Sequence, residues 1–239
     1  MRIAIFGDSI TEGLGVRGSR YGQRIADALG ADLIDYSTSG WTIAQSLEEF
    51  CARPADVDWA VIAHGFTEPI IRPRLDGVPV PQRWRQLGWM DPRPYYSSRL
   101  RRRILERIES AVRWRVKNFL IRTRGSYQFM SPEEYERSLI EFLAVLRARG
   151  AQVIVLGPTP IDDRYFPNAT SEMQKYAEID RLAAGDSFLS VADSLQVWRD
   201  FFADHYHPNH SGHAKIAWQI LERIRSTTRD ATTAAPSVG

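Results

Sequence analysis

The chain has 239 residues, 44% hydrophobic and 25% charged, so we expect one globular domain with an ample core, or one domain with a sizeable insertion. No apolar run approaches the roughly 18 residues that a membrane-spanning helix needs, and the N-terminus lacks the pattern of a signal peptide. The single cysteine, Cys51, excludes an intramolecular disulfide, and we expect it to pack as a small apolar residue. These features predict a cytoplasmic protein.

Short apolar runs alternate with segments of helical periodicity along the chain. We predict strands at residues 2–6, 32–36, 59–63, 152–156 and 188–192, and helices at 21–29, 46–50, 132–149 and 212–224. Strands too apolar for one-sided burial, alternating with helices, favour a mainly parallel five-stranded α/β sheet covered on both faces. We place a single domain at residues 1–229 and a flexible tail at 230–239.

Residues 69–131 form a basic insertion, with 15 Lys and Arg against 4 Asp and Glu, although the formal net charge of the whole chain is only +2. A proline-rich loop comes first, and a basic amphipathic helix is predicted over residues 97–122. The apolar side chains of that helix recur every three or four residues, at Leu100, Ile104, Ile108, Val112, Val116 and Phe119. This stripe has to pack on something, which suggests a lid or a wall of the substrate site.

The charge of the insertion has three interpretations. The arginines form a solvated helical face, they capture an anionic substrate such as a carrier-bound thioester or an acidic saccharide, or they dock on an anionic membrane surface. Nucleic acid is not expected as a partner, because no recognised binding motif accompanies the charge.

Ser9 follows the first predicted strand after a break at Gly7 and Asp8, and it begins a predicted helix. A serine there either caps the helix, as Thr11 also could, or acts as a nucleophile near free backbone N–H groups. A nucleophile needs a base, and the C-terminal segment supplies one in Asp204-x-x-His207. The proline after His207 disfavours α geometry there, and Asp204 would fix the tautomer of the imidazole.

Three segments in this order resemble the GDSL, or SGNH, hydrolases. Residues 7–10 (GDSI) match the first block of that family, residues 35–40 (DYSTSG) resemble the second, and residues 204–209 (DHYHPN) match the last. The resemblance covers residues 1–68 and about 132–225. It implies a three-layer α/β/α sandwich of flavodoxin-like type and an esterase-like activity. It further implies a triad of Ser9, His207 and Asp204, with Ser9 and Gly40 in the oxyanion hole.

The third block departs from the family pattern Gly-x-Asn-Asp. Gly65 matches, but Thr67 stands for the asparagine and Glu68 for the aspartate. We expect the Thr67 hydroxyl to act as the third oxyanion donor in place of the asparagine amide. The side chains expected to bind substrate are Asp8, His64, Phe66, Glu68 and Arg72.

The predicted function is therefore hydrolysis of a carboxylic O-acyl ester, on a carbohydrate or a small natural product, without cofactor or metal. If an alcohol replaces water at the acyl-enzyme, the same site is an acyltransferase. The altered third block leaves a catalytically weak or inactive binding protein as a further alternative. A metal site at His205, His207, His210 and His213 is a competing hypothesis, but it does not explain why Ser9 and Gly40 match their blocks.

Overall fold

The computed structural model describes residues 1–16, 18–80, 82–85, 99–202 and 204–234. Its strands are, in chain order, β1 (Arg2–Gly7), β2 (Asp32–Ser37), β3 (Trp59–Ala63), β4 (Arg72–Pro73), β5 (Ser126–Tyr127), β6 (Gln152–Leu156) and β7 (Phe188–Leu189). Its α-helices are α1 (Ser9–Glu12), α2 (Tyr21–Leu29), α3 (Ile43–Ala52), α4 (Leu100–Arg124), α5 (Pro132–Ala148), α6 (Ala169–Ala184) and α7 (His210–Ala234). Short 3₁₀ turns lie at Gln82–Arg85, Gly185–Ser187 and Ala192–Ser194.

Five strands form one parallel sheet in the order β2-β1-β3-β6-β7. Along β1, Ile3 and Ile5 enter the apolar core on one face, while Ala4 and Phe6 enter the core on the other. Successive side chains of a strand point to opposite faces, so an unbroken apolar run is what a doubly covered strand requires. This confirms the predicted fold class.

Helices cover both faces of the sheet. Helices α2 and α7 pack against each other on one face, and α3, α5 and α6 form the layer on the other. The result is the predicted three-layer sandwich. Among the described residues, no helix is long and apolar enough to cross a membrane.

Several elements differ from their predicted bounds. Strand β7 ends at Leu189, because a 3₁₀ turn begins at Ala192 within the segment predicted as strand. Helix α6 was not predicted. Helix α7 continues to Ala234, inside the segment for which we predict a tail, and residues 235–239 lie outside the described residues. Cys51, expected to be packed, is exposed on α3.

The basic insertion is closed at its base by an antiparallel pair, β4 with β5. Between these strands lies α4, whose buried face carries Ser110, Arg113, Lys117, Asn118 and Leu120. The predicted apolar stripe is therefore wrong as a packing face: Leu100, Ile104, Ile108, Val112 and Phe119 are exposed, and Val116 alone of the stripe packs on a small core around Val78 and Leu120. Residues 81 and 86–98 of the insertion lie outside the described residues.

Candidate active site

Three loops meet where β1, β2 and β3 end. The strand register pairs Gly7 with Ser37 on one side and with Ala63 on the other, so the segments that follow start at the same level. A Cβ atom at Gly7 would lie 2.0 Å from Oγ1 of Thr11 and 2.7 Å from the carbonyl oxygen of Ala63. Only glycine fits this close approach, which brings the first turn of α1 directly onto the end of the sheet.

Asp8 caps α1 and leaves Ser9 free for other contacts. Its side chain accepts the backbone N–H of Ile10 at 2.9 Å. The hydroxyl oxygen of Thr11 instead accepts a hydrogen bond from Tyr21 at 2.9 Å. The alternative that Ser9 or Thr11 caps this helix is thus excluded, since the capping position belongs to Asp8.

Ser9, His207 and Asp204 form a chain of hydrogen bonds. Oγ of Ser9 lies 2.9 Å from Nε2 of His207, and Nδ1 of His207 lies 2.6 Å from Oδ2 of Asp204. With the proton on Nδ1, the imidazole donates to the carboxylate and presents Nε2 as acceptor for the serine hydroxyl. Asp204 is fully buried, and the serine retains a small exposed fraction of 8%. This arrangement can raise the nucleophilicity of Ser9 through general-base catalysis.

The loop that carries Asp204 and His207 is held by its own backbone. Oδ1 of Asp204 accepts the N–H groups of Tyr206 and His207, each at 3.1 Å, and His205 takes a left-handed φ of 56° between them. The N–H of Phe202 donates to the carbonyl of His207 at 2.9 Å. His207 is therefore positioned by backbone hydrogen bonds of its loop as well as by the contacts of its side chain.

Gly40 lies in a tight turn that follows β2. The N–H of Trp41 donates to the carbonyl of Thr38 at 3.1 Å, and Gly40 has a φ of 80°, which favours glycine. A carboxylate oxygen of Glu12 accepts both the N–H of Ser39, at 2.8 Å, and its hydroxyl, at 2.5 Å. Glu12 thus connects the turn of Gly40 to the helix that begins with Ser9.

Comparison with known proteins identifies the family of the chain. The sequence matches the model of the GDSL-like lipase/acylhydrolase family over residues 5–215. The chain belongs to this family. It is therefore a GDSL/SGNH-type hydrolase, and the expectation drawn from its three motif blocks is confirmed. A search of curated proteins finds none that matches the chain.

Solved structures of GDSL/SGNH-type and related hydrolases share the fold. An α/β hydrolase from the metagenome of Lake Arreo, Spain, is 18% identical, with a TM-score of 0.60 over 92% of this chain and 93% of that one. An acetylxylan esterase from Geobacillus stearothermophilus is 16% identical, with a TM-score of 0.58 and 93% of each chain covered. A lipase/acylhydrolase from Enterococcus faecalis is 14% identical, with a TM-score of 0.60 over 95% and 96%.

Thr67 takes the place of the family's oxyanion asparagine, yet its hydroxyl donates to Oδ2 of Asp8. A hydroxyl has one hydrogen, so this bond leaves none for an oxyanion. The expectation that Thr67 is the third oxyanion donor is not met in this structure. The hydrogen bond instead joins the third loop to the loop of the nucleophile. Burial raises the pKa of Asp8, while the Thr67 hydrogen bond opposes that rise.

The five side chains expected to bind substrate lie inside the protein. Asp8, His64, Phe66, Glu68 and Arg72 are at most 8% exposed. The guanidinium of Arg72, for example, donates to the carbonyl oxygens at positions 67 and 70 and stacks 3.6 Å from the ring centre of Phe129. Within this structure these side chains are engaged in contacts that hold the third loop, and their expected role in substrate binding stays a prediction.

A second serine–histidine–carboxylate set lies under that loop. Oγ of Ser46 is 2.8 Å from Nε2 of His64, and Nδ1 of His64 is 3.2 Å from Oε1 of Glu68. Burial alone would raise the pKa of Glu68, but the hydrogen bond and charge of His64, with the N–H of Ile43, lower it overall. All three members are at most 1% exposed, so this set is structural.

The remaining histidines near the site have separate partners. His213 stacks on Tyr21 and accepts its backbone N–H at 3.2 Å, and Nδ1 of His210 lies 2.7 Å from the Ser19 hydroxyl. Burial lowers the pKa of His213 to about 3, so this side chain is neutral. The described residues contain no group of three or more His, Cys, Asp and Glu placed to hold a metal ion.

Sequence reasoning missed Glu12 and Asp200, which position the site without belonging to it. Glu12 lies three residues after Ser9, about one helical turn, and its carboxylate reaches the loop of Ser39. Asp200 accepts hydrogen bonds from Lys215 at 2.6 Å and Ser211 at 2.8 Å, which anchors the loop of the triad to α7. Its acidic side chain four residues before Asp204 was the available signal.

Proposed function

We propose that this chain is a serine esterase that hydrolyses a carboxylic O-acyl ester through Ser9, His207 and Asp204. The observation that carries the proposal is the chain of two hydrogen bonds, 2.9 Å and 2.6 Å long, from the serine hydroxyl to the buried carboxylate. Its place at the carboxyl edge of a parallel sheet, where ligands of such folds bind, supports it further.

The reaction follows in two steps. Oγ of Ser9 attacks the ester carbonyl while Nε2 of His207 takes its proton, and the imidazolium then gives that proton to the departing alcohol. Water enters, loses a proton to the same nitrogen and attacks the acyl-enzyme. The bond from the acyl carbon to Oγ of Ser9 then breaks, the imidazolium returns the proton to Oγ, and the acid is released. Asp204 stabilises the imidazolium in both steps and holds the imidazole orientation.

The negative oxygen of each tetrahedral intermediate needs hydrogen-bond donors. We assign this role to the backbone N–H groups of Ser9 and Gly40, since the Thr67 hydroxyl is bound to Asp8. Two donors in place of three predict a slow turnover, because removing one such donor typically costs about 100- to 1,000-fold. The altered third loop is also what favours the alternative of a weak or inactive binding protein on this fold.

The substrate is proposed to be an O-acyl ester of a carbohydrate or a small natural product. The similar fold of an acetylxylan esterase is compatible with this class. A screen of acetyl, butyryl and octanoyl p-nitrophenyl esters, with and without added acceptor alcohols, defines the acyl chain. New esters formed from the acceptor would identify an acyltransferase instead.

Labelling by a fluorophosphonate probe tests the mechanism. We expect the probe to label the wild type, and Ser9→Ala and His207→Ala to abolish the label. Ser46→Ala is the matched control, because Ser46 has the same type of histidine partner but is sealed from solvent. Absence of labelling in a folded wild type would support the binding protein, and labelling that survives Ser9→Ala would refute the assignment of the nucleophile.

A further inference from the structure

A cavity of about 700 Å³ opens between α4 of the insertion and the loops before α6 and α7. This volume is in the range of small-molecule sites, about 300–1,000 Å³. We call it the aromatic cavity after its lining, which includes Arg107, Trp114, Arg115, Tyr165, Trp198 and His205. His205 lies two residues before the triad histidine, so the cavity adjoins the loop of the proposed catalytic site.

Four rings form a continuous series from the insertion to that loop. Trp114 meets Tyr165 edge to face, with ring centres 5.4 Å apart. Tyr165 stacks on His205 at 4.6 Å, and His205 meets Trp198 edge to face at 4.2 Å. Trp198 is nevertheless 69% exposed, although aromatic side chains gain most from burial. A large ring left open beside a cavity is a surface on which a ligand ring can pack.

The charge of the cavity is positive. Arg107 and Arg115 reach it from α4, and neither forms an ion pair with a carboxylate among the described residues. The carboxylate of Asp162 lies 3.7 Å from His205 but is bound by Arg164 at 2.6 Å, and that guanidinium lies 4.8 Å from the ring centre of Trp198. An anionic group entering the cavity therefore meets two guanidinium groups without a competing described carboxylate partner.

His205 contributes its ring to the lining of the cavity. Its side chain is buried, and its Nδ1 is sealed from solvent without a hydrogen-bond partner among the described residues. Burial lowers its pKa, which favours the neutral ring. The left-handed φ of 56° at this residue is an uncommon conformation outside glycine, of the kind that gathers at functional sites.

We propose that the aromatic cavity binds a ring-bearing anion, with the ring against Trp198 and a carboxylate or phosphate on Arg107 and Arg115. The inference rests on the proposed function in one respect: the bound group is then the alcohol portion of the ester cleaved at Ser9. Acidic sugars, sugar phosphates and nucleotides share this chemistry. The insertion is, on this proposal, a wall of the substrate site.

Binding is measured on the Ser9→Ala variant, by tryptophan fluorescence and titration calorimetry, so that no turnover intervenes. The ring-bearing anions are methyl glucuronoside, glucose 6-phosphate and adenosine diphosphate. The controls are methyl glucoside, which has the ring without the charge, and inorganic phosphate, which has the charge without a ring. At least one ring-bearing anion should bind saturably and about tenfold or more tighter than both controls, with an affinity that falls as salt rises. Equal affinity for the controls, or no saturable binding of any of the three, would overturn the proposal.

Matched variants locate the binding. Arg107→Gln with Arg115→Gln should weaken it about tenfold or more, and Trp198→Ala should weaken it likewise. Arg122→Gln with Arg124→Gln, on the same helix but outside the lining, should leave it unchanged. Trp218→Ala is the matched control for Trp198→Ala, because Trp218 is 62% exposed and does not line the cavity. Equal losses in test and control variants would refute the site.

Binding to phosphatidylglycerol vesicles tests whether the insertion docks on a lipid surface instead of binding a ring-bearing anion. The exposed apolar side chains of α4, Leu100, Ile104 and Ile108 among them, are the feature that a bilayer would cover. Vesicle binding without binding of any ring-bearing anion would replace the proposal with membrane docking. Failure of the esterase mechanism is a separate result, because it appears as absent fluorophosphonate labelling of the wild type, whereas ligand binding is read in Ser9→Ala.

Discussion

Replacing Thr67 by valine tests the hydrogen bond that joins the third loop to the nucleophile loop. The two side chains are nearly equal in shape, but valine cannot donate to Asp8. Both residues are buried, with Thr67 3% and Asp8 0% exposed, so water does not replace the lost donor. A hydrogen bond to a charged group contributes about 1.5–3 kcal/mol. For a chain of this size, a loss of about 2 kcal/mol lowers the melting temperature by about 4–8 °C.

The effect should depend on pH with a definite sign. Burial already raises the pKa of Asp8 in the folded state, and removing the hydrogen bond that opposes this rise raises it further. A carboxyl group whose folded pKa is raised stabilises the protein below its unfolded pKa and loses that contribution as pH increases. The destabilisation by Thr67→Val should therefore be larger at pH 7.5 than at pH values near 4.

Thermal and urea unfolding of the wild type, Thr67→Val and Thr67→Ser measure this. Serine keeps the hydroxyl and loses one methyl group, so a cost near 1 kcal/mol is expected. An unfolding midpoint of Thr67→Val within 1 °C of the wild type at both pH values would refute the reasoning. An unchanged midpoint with a kcat about 100-fold lower would instead restore Thr67 as an oxyanion donor.

Three further predictions concern single side chains. Asp204→Asn should lower kcat for p-nitrophenyl acetate by about 1,000-fold or more, because His207 loses the acceptor that fixes its tautomer; a loss under tenfold would contradict this role. Glu12→Ala should lower kcat while KM changes little, since the turn that holds Gly40 loses two hydrogen bonds, and Glu12→Gln should recover part of the loss. The pKa of His213 is lowered to about 3 in the fold, so the unfolded chain binds the extra proton below about pH 6.5. As the pH is lowered from about 6.5 towards 3, the free energy of unfolding should then fall by up to about 1.4 kcal/mol per pH unit on account of this group. Urea unfolding of His213→Asn at a series of pH values should show a weaker dependence of that free energy on pH.

The sheet, and the hydrogen-bonded set of Ser9, His207 and Asp204, were predictable because their signals are local. Apolar runs marked the strands. Ser9, Asp204 and His207 each lie in a short motif at the end of a strand or the start of a helix. Helix α6 escaped prediction because its buried face includes Asp180, a carboxyl group bonded to the Tyr135 hydroxyl at 2.8 Å. An acidic residue on the buried face breaks the apolar periodicity by which helices are recognised.

The insertion and the third loop were not predictable because their partners are distant in sequence. The ammonium group of Lys117 lies 4.6 Å from the ring centre of Phe166, so a basic side chain faces the protein while the apolar stripe faces outward. In the same way, Thr67 finds its acceptor 59 positions earlier in the chain. Such pairings depend on tertiary distance, which no pattern within either segment contains.

The antiparallel pair at the base of the insertion holds the two ends of that segment together. Arg72 pairs with Tyr127 and Pro73 with Ser126, and the N–H of Arg74 donates to the carbonyl of Gly125 at 3.1 Å. The two ends of the insertion therefore leave the domain side by side, as in a hairpin. Chain length between them can change, or the segment can be exchanged, while the ends stay in register with each other. On the proposed function, this would let the same core serve esters with different alcohol groups.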